Sequence, residues 1–278
     1  MIMQSSAHRS KETSEVMPEV TPGTMNEMTV AIVIVIVVVG ATAAVMLIPQ
    51  SSSTYHLEAA YLVGERTPVG LSFSGVTDCT LDISFVDNPD LLYAIDVWLY
   101  EPLLPSSAFH LTLTDDRDQS GAVSVLFEGV ARIKCLQVVL GSGVPYNILV
   151  ASPCSDMETT IVYTNNMIGT NATLDYSATG SSLDLTFTED MIFSERGMDV
   201  TVGETALADT VYLSVNLVDG VNGRAVLSTP LTIHQNTGWV NRSTFLDQVT
   251  YNTNSLNPEP LLNIDIRAAE DVYAWLTD

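Results

Sequence analysis

One short segment of the sequence carries side-chain oxygens at the spacing of a calcium-binding loop. Asp116-Arg-Asp-Gln-Ser-Gly121 matches the pattern D-x-D-x-S-G, in which alternating oxygen ligands surround a hard cation and the glycine permits a sharp turn. The bidentate acid expected at the twelfth position is missing, because Phe127 stands there. The candidate ligands are Asp116, Asp118 and Ser120, and calcium is the only cofactor that the sequence suggests. The alternative is the solvated tip of a hairpin.

The sequence motifs of common catalytic sites are missing. No H-x-x-x-H, C-x-x-C, G-x-S-x-G or Walker pattern occurs. The four histidines are widely separated along the chain: His8, His56, His110 and His234. Three acidic residues in or beside strand-like segments fit the solvent-facing side of a sheet: Asp82, Asp96 and Glu101. The three tryptophans fit core or sheet packing better than a ligand platform: Trp98, Trp239 and Trp275. We therefore expect no enzymatic activity.

The three cysteines leave at least one thiol unpaired, because their number is odd. Cys135 and Cys154 flank a candidate hairpin whose tip falls near Val144-Pro145, and pairing around that tip aligns the two residues. Their Cβ atoms would then lie within disulfide range, so we predict a bridge between them. The alternative is a pair of independent buried thiols, since a one-residue change of turn length would separate the partners.

Two N-glycosylation sequons lie beside turn-like sequence. They are Asn171-Ala-Thr173 and Asn241-Arg-Ser243, which make Asn171 and Asn241 the candidate acceptors. Sequons arise often by chance in chains rich in Asn, Ser and Thr. They agree with export of this part of the chain and predict a glycoprotein.

The charge of the chain excludes one class of partner. There are 33 acidic residues against 10 basic ones, which gives a net charge of -23. Such a charge repels phosphate backbones, so we predict no nucleic-acid binding. Cations and basic surfaces remain compatible partners, although solubility and self-repulsion explain the same composition.

An uncharged segment near the N-terminus has the length of a membrane span. Residues 28–48 carry no charge, with the run Val30-Ala-Ile-Val-Ile-Val-Ile-Val-Val-Val39 at the centre, and Glu27 and Pro49 bound the segment. About 20 apolar residues at ~1.5 Å each cross the ~30 Å hydrocarbon core of a bilayer. We predict a single transmembrane helix at 28–48 that serves as a signal-anchor. A cleaved signal peptide with a site at Ala41-Thr-Ala43 is the alternative.

The flanking charges predict the orientation of this helix. Arg9 and Lys11 lie on its N-terminal side, whereas Arg66 is the only basic residue comparably close on the other side. The positive-inside rule then places the N-terminus in the cytoplasm and the bulk of the chain outside it. Residues 1–27 lack apolar periodicity, so we predict a disordered cytoplasmic tail there, followed by a linker at 49–56.

From residue 57 to the C-terminus, the sequence predicts one acidic, β-rich domain. Apolar and polar residues alternate in many short segments, which is typical of strands with one buried face. The clearest segments are 81–85, 109–113, 183–188, 211–217 and 262–266. Phe109–Leu113 and Val123–Phe127 suit the two arms of a hairpin around the candidate calcium loop. The nearest approach to a helical pattern is Ala268–Trp275, which suits a short closing helix.

A weak internal repeat predicts the architecture of this domain. Leu136–Val144 resembles Leu213–Val221, and each is followed by another apolar strand and by a proline, at Pro153 and Pro230. A duplicated strand-turn-strand unit indicates stacked hairpins, a solenoid-like stack or a sandwich. The predicted fold class is therefore all-β, preceded by one transmembrane helix.

The same segments resemble a known family of surface domains. Val138-Val-Leu-Gly-Ser-Gly-Val144, Leu213-Ser-Val-Asn-Leu-Val-Asp-Gly-Val221 and the turns near Asn171–Asp175 and Ala178–Ser181 are similar to the "toast-rack" β-repeats of the putative-adhesin family. The resemblance covers roughly residues 130–240, and the many regular repeats of the clearest members are missing. It implies a stacked β architecture and a role in the bacterial or archaeal cell envelope, with no catalytic residues.

Together these features predict a non-enzymatic, membrane-anchored protein of the prokaryotic cell surface. The outer domain would act by contact, as a structural, adhesive or binding module that engages an envelope protein, a glycan or another copy of itself. The alternative is an extracytoplasmic sensor or an accessory subunit of a membrane complex, with the transmembrane helix as the coupling element.

Overall fold

The computed structural model of the protein describes residues 54–60, 68–101, 103–116, 122–130, 132–152, 156–164, 172–191, 193, 197–218, 220–253 and 260–278. All of them belong to one unit of the chain, Ser51–Asp278. The predicted tail 1–27 and the predicted transmembrane helix 28–48 lie outside the described residues. Within the described ranges, no helix has both the length and the hydropathy needed to cross a membrane. The first described strand begins at Thr54, inside the predicted linker 49–56.

The described residues form strands almost throughout, so the all-β prediction is confirmed. The strands are β1 (Thr54–Ala60), β2 (Val69–Ser74), β3 (Thr80–Val86), β4 (Leu91–Leu99), β5 (Phe109–Asp116), β6 (Ala122–Gly129), β7 (Ile133–Gly141), β8 (Tyr146–Ser152), β9 (Met157–Tyr163), β10 (Ala172–Ala178), β11 (Ser181–Phe187), β12 (Met198–Val202), β13 (Ala208–Asn216), β14 (Gly223–Ser228), β15 (Leu231–Thr237), β16 (Trp239–Phe245), β17 (Gln248–Thr253), β18 (Leu262–Ile266) and β19 (Ala268–Thr277). A single-turn helix, α1 (Pro105–Ala108), precedes β5.

These strands form two sheets. The nine-stranded sheet has the order β1-β4-β7-β3-β9-β11-β13-β19-β15. The ten-stranded sheet has the order β16-β17-β14-β18-β12-β10-β8-β2-β6-β5. Alternating burial along the strands places one face of each sheet in a shared apolar core and the other in solvent.

The chain alternates between the sheets, so that successive strands build a stack of coils. We define a coil as one strand of the ten-stranded sheet followed by one strand of the nine-stranded sheet, such as β8 and β9, β10 and β11, or β12 and β13. Neighbouring coils pair in parallel, as β11 does with both β9 and β13. The predicted solenoid-like stack and the predicted sandwich are therefore combined in one structure.

Residues at equivalent positions of adjacent coils stack on one another inside the core. Phe85, Tyr163 and Phe187 occupy one such row, with ring centroids 4.9 and 5.0 Å apart. All three side chains are buried. Full burial of an aromatic side chain of this size contributes roughly 1.5–3 kcal/mol, so the repeated rows supply much of the stability.

The order of the coils in space differs from their order in the sequence. The first coil, β2 and β3, lies between the later coils β6–β7 and β8–β9. The last coil, β18 and β19, lies between β12–β13 and β14–β15. We call the end of the stack that carries β15 and β16 the distal end. Near this end, β18 and β19 complete the two sheets by inserting between strands that precede them in the sequence.

Antiparallel strands and single side chains cover the two ends of the stack. At one end β4 and β1 extend the nine-stranded sheet, and β5 extends the other. The Tyr55 ring contacts Phe109 across the sheets, while its hydroxyl donates to the Leu103 carbonyl at 2.5 Å. At the other end, Trp239 of β16 is buried and its indole N–H donates to the Thr277 carbonyl at 3.2 Å.

Local pairing is predicted well by the sequence, whereas one predicted hairpin and one predicted helix are wrong. β5 and β6 form the expected antiparallel hairpin, with Leu113 opposite Val125. The expected hairpin around Val144-Pro145 does not form, because β7 and β8 belong to different sheets. Residues 268–275 are strand β19 rather than a helix, since Val272, Ala274 and Leu276 are buried at a period of two.

The internal repeat corresponds to equivalent positions in the fold. In both copies a strand of the nine-stranded sheet leads into a strand of the ten-stranded sheet, β7 into β8 and β13 into β14. The repeated sequence comprises the end of the first strand and the crossing from one sheet to the other. The sequence similarity therefore marks a shared unit of the coil stack.

Candidate interaction surface

Four aromatic side chains gather on the solvent-facing side of the nine-stranded sheet. They form what we call the aromatic group: Tyr212, His234, Tyr273 and Trp275. Tyr212 is 41% exposed, and His234 is exposed as well. Large aromatic side chains at the surface of a rigid sheet are typical of binding surfaces, because they offer contact area at low entropic cost.

Strand alternation and parallel register position the aromatic group. Tyr212 lies between the buried Val211 and Leu213 on β13, so its side chain points outward. Tyr273 pairs in register with Tyr212 on the neighbouring strand β19 and therefore lies on the same face. On β15, a register shift between Ile233 and Gln235 places His234 outside the regular ladder.

The rings stack nearly parallel to one another across three adjacent strands. Tyr212 and Tyr273 have centroids 5.2 Å apart and an interplanar angle of 12°. His234 lies 5.8 Å from Tyr273 at 24°, and 4.4 Å from Trp275 at 12°. Both faces of Tyr273 are thus covered, whereas Tyr212 and Trp275 each have one face turned away from the stack.

Polar side chains lie next to the two remaining ring faces. Asp184 pairs in register with Tyr212, and Ser214 pairs with Trp275. Thr186 is in register with Ser214, and its hydroxyl donates to the Asp184 carboxylate at 3.4 Å. The outer face therefore combines two aromatic faces with an exposed carboxylate and two hydroxyl groups.

A second carboxylate, that of Asp271, lies on β19 two residues before Tyr273 of the aromatic group. The negative charge of Asp271 raises the pKa of Tyr273, because it disfavours a second negative charge on the phenol. Partial desolvation and a hydrogen bond to the same carboxylate act in the same direction. The Tyr273 hydroxyl therefore remains a protonated hydrogen-bond donor, and the region is negative as well as aromatic.

The aromatic group was not predicted from the sequence, although one signal for it exists. In Asp271-Val-Tyr-Ala-Trp275 the small and aliphatic residues alternate with Tyr273 and Trp275. As a strand, this segment necessarily places both aromatic rings on the face opposite its buried residues. Its interpretation as a helix concealed that arrangement. Trp275 is consequently a surface residue, while Trp239 is a core residue as expected.

One of the three candidate calcium ligands is described, and it lies at the end of an arm of the β5–β6 hairpin. Asp116 ends β5 and pairs with Ala122. Asp118 and Ser120 lie outside the described residues. Within the described part of the chain, no group of three His, Cys, Asp or Glu side chains is arranged to hold a metal ion. Calcium binding at Asp116, Asp118 and Ser120 stays a prediction.

Two of the three cysteines, Cys79 and Cys135, lie near each other, directly before β3 and in β7. Cys135 lies in β7 next to Thr80, which directly follows Cys79. Burial raises the pKa of the Cys79 thiol to about 12, and burial is also the main reason why the pKa of Cys135 is raised. Cys154 lies outside the described residues. Because β7 and β8 do not form a hairpin, the argument for a Cys135–Cys154 bridge loses its geometric basis, and the bridge itself stays a prediction.

The other candidate residues are distributed over the surface. Asn241 is exposed on β16, in a position accessible to modification, whereas Asn171 lies outside the described residues. His56 accepts or donates a hydrogen bond with Asp96 at 2.7 Å, and its pKa is raised, chiefly by that bond. His110 and its hydrogen-bond partner Thr112 both lie on β5 of the ten-stranded sheet, whereas His56 and His234 lie on the nine-stranded sheet. The described histidines therefore do not form one cluster.

Two shallow grooves lie at the edges between the sheets. One, of about 330 Å³, is lined by polar residues around Arg267, Asp247 and Thr229. Another, of about 220 Å³, lies beside Cys79 and includes Glu158. Neither places a nucleophile beside a hydrogen-bonded base among the contacts of the described residues.

The chain matches no protein-family model, and it matches no curated protein sequence. Its structure is similar to the crystal structure of a "putative cell adhesion protein" from Clostridium sporogenes ATCC 15579, with a TM-score of 0.46 and 10% sequence identity. The match covers 82% of this chain and 100% of that chain. A likeness at this level does not extend to function. Membership of the toast-rack family stays a prediction.

Proposed function

We propose that this chain is a membrane-anchored surface protein that acts by contact, with the outer face of the nine-stranded sheet as its binding surface. The predicted helix 28–48 holds the protein in the membrane, and the β domain lies outside the cytoplasm. No chemical reaction is assigned to it.

The aromatic group is the observation that carries this proposal. A soluble domain gains stability by burying aromatic side chains, yet Tyr212, His234, Tyr273 and Trp275 are held on the outside of a well-packed sheet. Three of the rings lie on the interior strands β13 and β19, and His234 lies on the edge strand β15, so the sheet positions the rings before any partner arrives. Preorganised aromatic residues lower the entropic cost of binding.

A site-specific crosslinking experiment tests the proposal in intact cells. A photoreactive amino acid replaces Asn216 on β13, on the strand of Tyr212, or Leu149 on the outer face of the ten-stranded sheet, which is 39% exposed. We expect a discrete crosslinked product from position 216 and none from position 149. Equal products from both positions, or none from 216, would contradict a defined binding surface.

The same cells test the predicted topology. Externally added protease should reach residues 57–278 and leave residues 1–27 protected in cells with a permeable outer envelope. Protection of the β domain would overturn the surface assignment. A constant, stoichiometric crosslink from the membrane segment 28–48 would instead favour the alternative of an accessory subunit.

A further inference from the structure

We propose that the aromatic group binds a cationic side chain, an arginine or lysine presented by a partner protein. This inference rests on the proposed contact function and adds the chemistry of the ligand. The binding positions are the open faces of Tyr212 and Trp275 together with the neighbouring carboxylate of Asp184.

Two ring faces of the aromatic group have a small or polar residue, and not another ring, in register beside them. His234 covers the face of Trp275 on the β15 side, and the residue in register on the other side is the small Ser214. Tyr273 covers one face of Tyr212, and the residue in register on its other side is Asp184. A guanidinium or ammonium group over an aromatic face is attracted by the negative π surface, most strongly over tryptophan.

The charges of the same surface select a cation. Asp184 is exposed and adjoins Tyr212, and Asp271 adds a second carboxylate beside Tyr273. The strands that carry or adjoin the aromatic group, β11, β13, β15 and β19, contain no lysine or arginine. No cation of these strands therefore competes for the ring faces.

The net charge strengthens this selection over longer distances. With -23 charges on the chain, an anionic ligand is repelled and a basic one is attracted. This attraction is spread over the whole acidic surface and is screened by salt, whereas attraction to a ring face requires direct contact with that ring. Matched substitutions can therefore separate the two contributions.

The test measures binding of a short peptide to the full-length protein in lipid nanodiscs at physiological salt. The probe is acetyl-Gly-Arg-Gly-Arg-Gly-amide, and the uncharged control replaces both arginines with glutamine. We expect Trp275→Leu and Tyr212→Leu each to weaken binding about five-fold, because each removes one cation–π contact. Asp184→Asn should weaken it by a similar factor, while the glutamine peptide should bind far more weakly to every variant.

Two variants serve as matched controls. Trp98→Leu removes a half-buried outward tryptophan from β4 of the same sheet, and Asp199→Asn removes one charge from the outer face of the other sheet. Neither should change the affinity by more than a small factor. Circular dichroism of every variant excludes unfolding as the cause of a loss.

Three results would overturn the cation site. The first is equal weakening by the control variants, which would show diffuse charge attraction alone. The second is no binding of the arginine peptide. The third is binding of a neutral hexasaccharide that depends on Trp275 while binding of the peptide does not. If the peptide fails but position 216 still crosslinks in cells, the contact function stands and only the cationic ligand is wrong.

Discussion

The indole of Trp239 lies over Gly223, in the space where any side chain at position 223 would begin. Trp239 is buried at the distal end of the coil stack, and Gly223 begins β14 directly beneath it. The absence of a Cβ at this position allows the tryptophan to close the core.

Gly223→Ala should therefore destabilise the protein by about 1–3 kcal/mol, because the added methyl group forces the indole out of its place. Thermal or chemical unfolding monitored by circular dichroism measures the loss. In the double variant with Trp239→Leu, the two effects should be less than additive. Gly70→Ala is the control, since its new Cβ would meet Ser124 at an ordinary 3.6 Å. Equal losses at positions 70 and 223 would contradict the explanation.

The last coil should be as important for stability as a central element. Ile264 lies near the C-terminus of the chain, yet it is fully buried in β18 between β12 and β14. Ile264→Ala should cost roughly 2–5 kcal/mol, as for a central core residue. Ile233→Ala in the edge strand β15 should cost clearly less, because that side chain is only partly buried. Chemical denaturation of the two variants measures how much each lowers the free energy of unfolding. A smaller loss for Ile264→Ala than for Ile233→Ala would contradict the inserted position of β18.

The contact between His56 and Asp96 should make the attachment of β1 depend on pH. The raised pKa of His56 means that its protonated form is stabilised in the folded protein, first by the bond to Asp96 and then by Glu58. This stabilisation is complete below the ordinary value of 6.5 and is lost as the pH rises through the higher folded pKa. NMR titration of the imidazole should show a lower pKa in Asp96→Asn. An unchanged pKa in that variant would exclude the bond as the cause.

The thiol of Cys79 should be unreactive in the folded protein. With a pKa of about 12, only about one thiol in 10⁴ is ionised at pH 8, and burial also limits access. In a Cys135→Ser/Cys154→Ser background, labelling by iodoacetamide should be very slow until denaturant is added. Fast labelling of the native protein would contradict this burial. Non-reducing mass spectrometry of the unaltered chain tests the predicted Cys135–Cys154 bridge in parallel.

Calcium is tested most directly by its effect on unfolding. A ligand that binds only the native state raises the melting temperature, by an amount that grows with the logarithm of its concentration above Kd. An increase at millimolar calcium that is lost in Asp116→Asn/Asp118→Asn would support the loop as a site. Magnesium at the same concentration is the control for general screening of the acidic surface. No shift with calcium would remove the hypothesis.

The sequence predicts where the strands of this protein lie better than it predicts which strands pair with one another. Alternation identifies β3, β11 and β18 because each has one buried face. It also predicts the β5–β6 hairpin, since both arms and the turn are close in sequence. Alternation cannot distinguish a hairpin from a crossing between sheets, which explains the error at Val144-Pro145. Parallel partners such as β13 and β19 are distant in the chain, so nothing local specifies their pairing.

The candidate site depends on that distant pairing. Tyr212, His234 and Trp275 belong to three strands, and their proximity follows from the insertion of β19 between β13 and β15. A register shift, invisible in the sequence pattern, then brings His234 onto Trp275. If residues 268–277 are assigned to a strand, the sequence alone shows that Tyr273 and Trp275 face outward. It does not show that they lie beside Tyr212 and His234.

The insertion of the last coil also constrains biosynthesis. β18 and β19 are the central partners of β12, β13, β14 and β15, and they follow all four of these strands in the sequence. Co-translational folding from the N-terminus can therefore complete the early coils, but β12 to β15 lack their central partners until β18 and β19 have been synthesised. A nascent chain interrupted before β18 would expose the unpaired edges of these strands, which makes such products targets for quality-control proteases.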